Sequence, residues 1–310
     1  MSQSPAPIAL FVYNRPDLTR RTLEALAANS LASRSNLLVF SDGPKTEAEA
    51  VKVEGVRDLV SRFKGFGRIH LVRASQNKGL GHSIVEGVTQ VTAEHERAIV
   101  MEDDLDTSPY FLDYMNDALL RYAAVEKVAA ISGYLPPVDS ELPETFFLQD
   151  AECWGWATWQ RAWSLFEPDG VRLLAEIRRR RLTYVFDQEG TYPFLRMLGS
   201  QIAGLNSSWV VRWRASVLLN DRLSLYPGRS LVNNIGFDGS GTHCDASNAW
   251  CVDTSATPIR LSEGPLQPCR KALNAFKRFN RRTIDYGLMD RIVSKIGRVV
   301  RARMGTNAAP

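Results

Sequence analysis

The sequence predicts an α/β fold, Rossmann-like, with a mostly parallel sheet and flanking helices. Three observations carry that prediction. Apolar runs of four to six residues recur from Ile8 to Ile131, each run is followed by a segment with helical spacing, and the runs end in polar residues. Continuous apolar runs, as opposed to in–out alternation, belong to strands covered on both faces. Strand and helix in turn imply parallel neighbours joined by right-handed crossovers.

The elements follow in order. Ile8 to Tyr13 is a short apolar strand closed by Asn14-Arg15-Pro16, and Pro16 suits the first turn of a helix in which Leu18, Thr22, Leu23 and Leu26 share a face. Asn36 to Ser41 is a second strand, stopped by Asp42-Gly43-Pro44, after which Val53, Val56, Leu59, Val60 and Phe63 mark a helix. Arg68 to Arg73 is a third strand and Gly79 to Val91 a third helix. Ala98 to Met101 is a fourth strand, running into Glu102-Asp103-Asp104-Leu105. Tyr110 to Val125 reads as a helix and Val128 to Ile131 as a fifth strand. Beyond that point the rhythm is lost, and the chain becomes rich in tryptophan and turns.

A chain of 310 residues, 45% apolar, can bury a large core. The reading divides it into residues 1–262, with a nucleotide-binding half of about 6–133 and an acceptor-side half of about 134–262, and a basic helical tail, 263–310. No stretch reaches the roughly 20 apolar residues of a membrane span. The opening residues carry no signal-peptide pattern, so a cytoplasmic location is expected. Cys153, Cys244, Cys251 and Cys269 form no C-x-x-C pair, which argues against a zinc knuckle or disulfide scaffold. From Lys271 to Arg303 ten Lys or Arg face two Asp, a net +8, which leaves −4 on the rest of the chain.

Polar residues at successive strand ends are the candidate site, because ligands of open α/β sheets bind outside the carboxyl ends of the strands. The first end supplies Asn14 and Arg15, the second Asp42, and the fourth Glu102, Asp103 and Asp104. Adjacent acids repel unless a cation neutralises them, and hard divalent metals prefer oxygen ligands. A solvated acidic turn capping the next helix is the alternative. Lys78, at the entry to the third helix, lies where backbone amides favour anions. Asn14 as a helix cap, Asp42-Gly43 as a tight turn and the glycines near Lys78 as packing aids remain open for each feature alone. No G-x-G-x-x-G follows the first strand and no P-loop is present, so a nucleotide held through a metal-bridged diphosphate fits better than a glycine loop.

A first strand ending in Asn-Arg, a second in Ser-Asp and a fourth in Glu-Asp-Asp-Leu resembles the GT-A fold glycosyltransferases, of the N-acetylglucosaminyltransferase I type and bacterial family 2-like sugar transferases. Later segments of the resemblance are Trp154 to Trp159 and Asn234 to Cys244. The resemblance implies a metal-dependent, inverting transfer of a sugar, GlcNAc, from a UDP-sugar to a hydroxyl of a glycan or lipid-linked saccharide. It implies that Asp104 and His243 hold Mn²⁺ or Mg²⁺, that Asp103 and Glu102 face the ribose and donor sugar, that Asp42 contacts the uracil and that Arg15 lies beside the nucleotide. Trp154 and Trp156 are expected to line a sugar pocket, with core packing as the alternative.

The catalytic base is where the chain departs from the pattern. The animal enzymes place it in a Trp-Asp-Asp-Trp stretch, and the nearest segment here, Trp209-Val210-Val211-Arg212-Trp213, has no acid. Asp238 is the first candidate, Glu152 the second and Asp150 the third. Two rival readings stand beside the enzyme. A nucleotidyltransferase needs a glycine-rich signature after the first strand that Asn14-Arg15-Pro16 does not supply, and a non-catalytic nucleotide-sugar or carbohydrate binder is kept open by the missing acid.

In the tail, Leu288, Ile292, Ile296, Val299 and Val300 recur at helical spacing among Arg291, Lys295, Arg298 and Arg301. That is a basic amphipathic helix suited to an anionic membrane surface, such as the inner face of the plasma membrane, or to docking on the body. Too few aromatics accompany it for nucleic-acid stacking.

Overall fold

In the computed structural model, residues 4–237 and 248–284 are described. Among them, ten strands and ten α-helices run in the order β1 (Ile8–Val12), α1 (Pro16–Ala27), β2 (Asn36–Ser41), α2 (Glu47–Arg62), β3 (Arg68–Arg73), α3 (Leu80–His95), β4 (Arg97–Glu102), β5 (Leu105–Thr107), α4 (Phe111–Arg121), β6 (Val128–Ser132), β7 (Thr145–Leu148), β8 (Trp156–Trp159), α5 (Gln160–Trp163), α6 (Gly170–Arg179), α7 (Thr183–Phe186), α8 (Phe194–Ile202), α9 (Val210–Leu219), β9 (Leu223–Pro227), β10 (Val232–Asn234) and α10 (Arg270–Thr283). The sheet order is β3-β2-β1-β4-β8-β6-β9-β7, and β5 pairs separately with β10.

The first four strands of that order are parallel, with Val12 opposite Ser41, Ser41 opposite Arg73, and Phe11 opposite Glu102. Their carboxyl ends therefore reach one edge together. β1 is buried along its whole length, as an uninterrupted apolar run requires when helices cover both faces. α3 lies close over this part of the sheet. A Cβ on its Gly87 would come within 2.7 Å of the Phe11 ring.

The second half corrects two expectations. The fifth predicted strand, β6, does not neighbour β4, because β8 lies between them and runs antiparallel to both. Trp156 starts that strand, is 1% exposed and stacks on Trp209 at 5.3 Å, with Trp163 and Trp213 alongside. It is a core residue and not a pocket lining. Trp209 and Trp213 belong to the same cluster, so their segment builds the core and carries no site residue.

A tail beginning at 263 also starts too early. The Cys269 N–H donates to the Phe147 carbonyl at 2.8 Å, Phe276 meets Tyr226 edge-on, Phe279 meets Trp250, and the Asn280 amide donates to Gln188. Burying each phenylalanine stabilises α10 on the body by about 1.5–3 kcal/mol. The pattern from Leu288 to Arg301 lies outside the described residues. No helix among those described is long and apolar enough to cross a membrane.

Candidate active site

The parallel strand ends set Asn14 and Arg15 beside Asp103 and Asp104. The tip of β4 is bent back at once by β5, whose pairing with β10 puts Asn234 opposite Leu105. The Ile235 N–H then donates to the Asp104 carbonyl at 2.8 Å. Gly236 passes so close that a Cβ there would lie 2.4 Å from Asp104 Oδ2. This pairing leads the chain to the acid cluster just before Asp238 and His243, which lie outside the described residues.

Arg15 is the cation facing these acids. Its Nη2 bridges Asp103 Oδ1 and Asp104 Oδ2, the latter at 2.9 Å. Asp103 Oδ2 also accepts the Tyr13 N–H at 3.2 Å. Burial raises the Asp103 carboxyl to about 6, against the pull of Arg15 and with a further push from Asp104. Burial, then Asp104 and Asp103, hold Glu102 well above the carboxylate range. Asp104 itself is 9% exposed, and its Oδ1 is buried without any hydrogen-bond donor among the described residues. A buried carboxylate oxygen with no partner is costly unless something completes it.

That orphaned oxygen fits a divalent cation. Among the described residues no three His, Cys, Asp or Glu side chains converge on one point. Asp104 fits an ion such as Mg²⁺ that takes most of its oxygens from phosphate and water.

Asp42 is placed at the site but not as expected. Its Oδ1 accepts the Gly43 and Lys78 N–H groups at 2.8 Å, and its Oδ2 accepts Gly79 N–H at 2.8 Å and Asn77 Nδ2 at 3.1 Å. With both oxygens so engaged, Asp42 does not stand free to read a uracil ring. It holds the loop entering α3, and it is itself the anion at that helix start. Lys78 extends away to Glu86 at 2.5 Å, so it does not point its charge at the acid cluster. Asn14 donates to Glu49 Oε1 at 3.1 Å while Tyr13 donates to Glu49 Oε2, which ties the β1 loop to α2. Arg57 does similar work at β2 and β3, donating to Ser41 Oγ and to the Asp42 and Ala74 carbonyls. Sequence reasoning passed over Arg57, although its place between Val53, Val56 and Val60 on an apolar helix face was the available signal.

Trp154 and Trp156 part company at Gly155, which adopts φ +61. That left-handed residue breaks strand alternation, and a Cβ there would lie 2.7 Å from Val232. Trp154 is consequently half-buried, edge-on to Tyr134, Phe237 and Trp250. Phe237 directly follows Gly236, so Trp154 stands next to the acid cluster. Glu152 is desolvated and raised to about 7, with only a Cys153 backbone hydrogen bond opposing the shift. The Cys153 thiol is pushed up by burial and then by the charges of Glu102, Glu152 and Asp104, which locates both sets of acids in one neighbourhood. Asp150 does not share in it. It is a buried ion-pair partner of Arg214 and accepts from Gln188 and from the Ala151 N–H, so the third candidate base is structural.

A parallel four-strand half with an acid pair at its edge, closed by the antiparallel pair of β5 and β10, has the architecture of the GT-A fold. Residues 8–146 match the family described as glycosyl transferase family 2, a segment that holds β1 to β6 and every strand end discussed above. The matched segment is 139 of the chain's 310 residues. No curated protein sequence matches the chain. Among solved structures, the mannosyltransferase PcManGT from Pyrobaculum calidifontis, in complex with GDP-Man and Mn²⁺, is similar at 14% identity and a TM-score of 0.37, over 69% of this chain and 75% of that one. TarS of S. aureus is similar at 17% identity and a TM-score of 0.29, over 44% of this chain and 23% of that one.

Proposed function

We propose that the protein transfers a sugar, with inversion and with the help of a divalent metal, from a UDP-sugar to a hydroxyl of a glycan or lipid-linked saccharide. GlcNAc is the proposed sugar, as the resemblance to the N-acetylglucosaminyltransferase I type implies. The observation that carries the metal is the buried, unpartnered Oδ1 of Asp104. Asp104 would hold Mn²⁺ or Mg²⁺, with His243 proposed as the second ligand. When bound, the ion supplies positive charge for the departing diphosphate.

The chain's own residues do the rest. Arg15 and the loop held by Asp42 border the crevice in which the nucleotide sits, and Trp154 offers an indole for the apolar face of a sugar ring. Glu152 is the proposed base. A carboxylate near pH 7 in basicity can take the acceptor hydroxyl proton, whereas an ordinary carboxylate is a far weaker acceptor. Asp238 remains the alternative base from sequence.

Thermal shifts with Mn²⁺ across UDP- and GDP-sugars test this reading. The largest shift is expected with UDP-GlcNAc. A larger shift with a GDP-sugar reassigns the donor, and no shift with any of them removes the reading. For the basic segment after Ile284 the proposed partner is an anionic membrane surface. The full chain should sediment with phosphatidylglycerol vesicles, and a chain ending at Ile284, which keeps α10, should not. Equal sedimentation of the two would refute the tail's role.

A further inference from the structure

Arg15 is more than a neighbour of the nucleotide. A single nitrogen, Nη2, is shared between Asp103 and Asp104, so one side chain neutralises the pair that a metal would otherwise neutralise. The guanidinium is itself largely shielded, its side chain 21% exposed, and both partners are buried. The arrangement is lopsided at Asp104. Oδ2 has the cation and Oδ1 has no partner among the described residues, while Asp103 is anchored twice, by Arg15 and by the Tyr13 N–H.

We infer that Arg15 is a resident counter-ion which competes with the divalent metal for Asp104 and so makes metal capture depend on the nucleotide diphosphate. This rests on the proposed metal-dependent reading of the site. A metal arriving alone meets a carboxylate whose charge is already half spent, and a second cation placed beside Arg15 is repelled at close range. A metal arriving with a diphosphate brings two negative charges of its own. The guanidinium then gives up Asp104, keeps Asp103 and turns its remaining donors to the phosphate, which planar guanidinium groups suit. Arg15 is therefore a positioning residue that couples two ligands. Coupling of this kind is reciprocal, so the metal must strengthen nucleotide binding by the factor by which the nucleotide strengthens metal binding.

Calorimetric titration separates the possibilities. Mn²⁺ alone, UDP alone, and Mn²⁺ with UDP are titrated into the full chain and into Arg15→Gln and Arg15→Lys. Melting in EDTA verifies that each variant is folded. For the wild type, Mn²⁺ with UDP binds and Mn²⁺ alone binds weakly. Arg15→Gln is expected to tighten Mn²⁺ alone by about tenfold or more and to reduce the Mn²⁺–UDP coupling by a similar factor, in the range usual for coupled sites. Arg15→Lys keeps a cation and should stay near the wild type. A merely structural Arg15 would give weaker metal binding on removal, not tighter. If wild type binds Mn²⁺ with UDP but Arg15→Gln takes up Mn²⁺ no better, the counter-ion inference is wrong and the functional reading stands. If neither protein binds Mn²⁺ with UDP, the functional reading itself is overturned.

Discussion

Asp104→Asn is expected to lower sugar transfer by on the order of 10²–10³-fold, because it replaces a carboxylate with a buried, unpartnered oxygen and removes the charge that would hold a cation beside the diphosphate. The substitution preserves shape. A Cβ on Gly236 would lie 2.4 Å from Oδ2, so the space at Asp104 is tight and an isosteric amide is tolerated where a larger side chain is not. The amide oxygen can still accept from Arg15 Nη2, which now sits 2.9 Å from Oδ2, so the variant should fold and melt within a few degrees of the wild type. Two readouts check it: transfer rate with donor saturating, and the increase in melting temperature on adding Mn²⁺ with UDP. An unchanged metal-dependent shift in Asp104→Asn would return the acid cluster to the status of a capping turn.

Glu152→Gln carries the second large effect. General-base catalysis contributes typically 10²–10⁴-fold, so kcat should fall within that range while the donor KM changes little. The pH profile gives an independent test. A base works only when ionised, and burial raises Glu152 to about 7. Wild-type kcat should therefore climb as pH rises through about 7 and level off above it, and the Gln variant should lose that limb. If Glu152→Gln retains the wild-type rate and profile, the base is elsewhere, and Asp238 becomes the next residue to replace.

The acidic cluster shows why strand ends are so legible. Ile8–Val12, Asn36–Ser41 and Arg97–Glu102 are runs whose burial on both faces leaves little freedom of assignment, and parallel order then forces their polar successors to one edge. Asn14, Arg15, Asp42, Asp103 and Asp104 follow from that logic without coordinates. Their partners do not. Nothing in the spacing says that Asp42 is fully used, because three of its donors, Asn77, Lys78 and Gly79, come from a loop 35 or more positions away whose path is set by the third crossover.

The tryptophans mark the other limit. Trp154 and Trp156 are equivalent by composition and by i, i+2 spacing, yet one borders the site and the other is sealed among Trp209, Trp163 and Trp213. The difference is the positive φ of Gly155 and the insertion of β8 between β4 and β6, a non-local pairing that local periodicity does not encode. Likewise a basic stretch after Leu261 reads as an appendage, until Phe276 and Phe279 find Tyr226 and Trp250.

The sequence by itself determined the α/β alternation, the edge at which the polar strand ends gather and the acids that stand there, since backbone hydrogen bonding and apolar burial act through neighbours along the chain. Only the tertiary structure decided which of those polar groups are already satisfied. A hydrogen bond or ion pair between distant residues depends on where the whole fold brings the second partner. Asp42, Asp150 and Arg15 found partners in this way, and one oxygen of Asp104 did not.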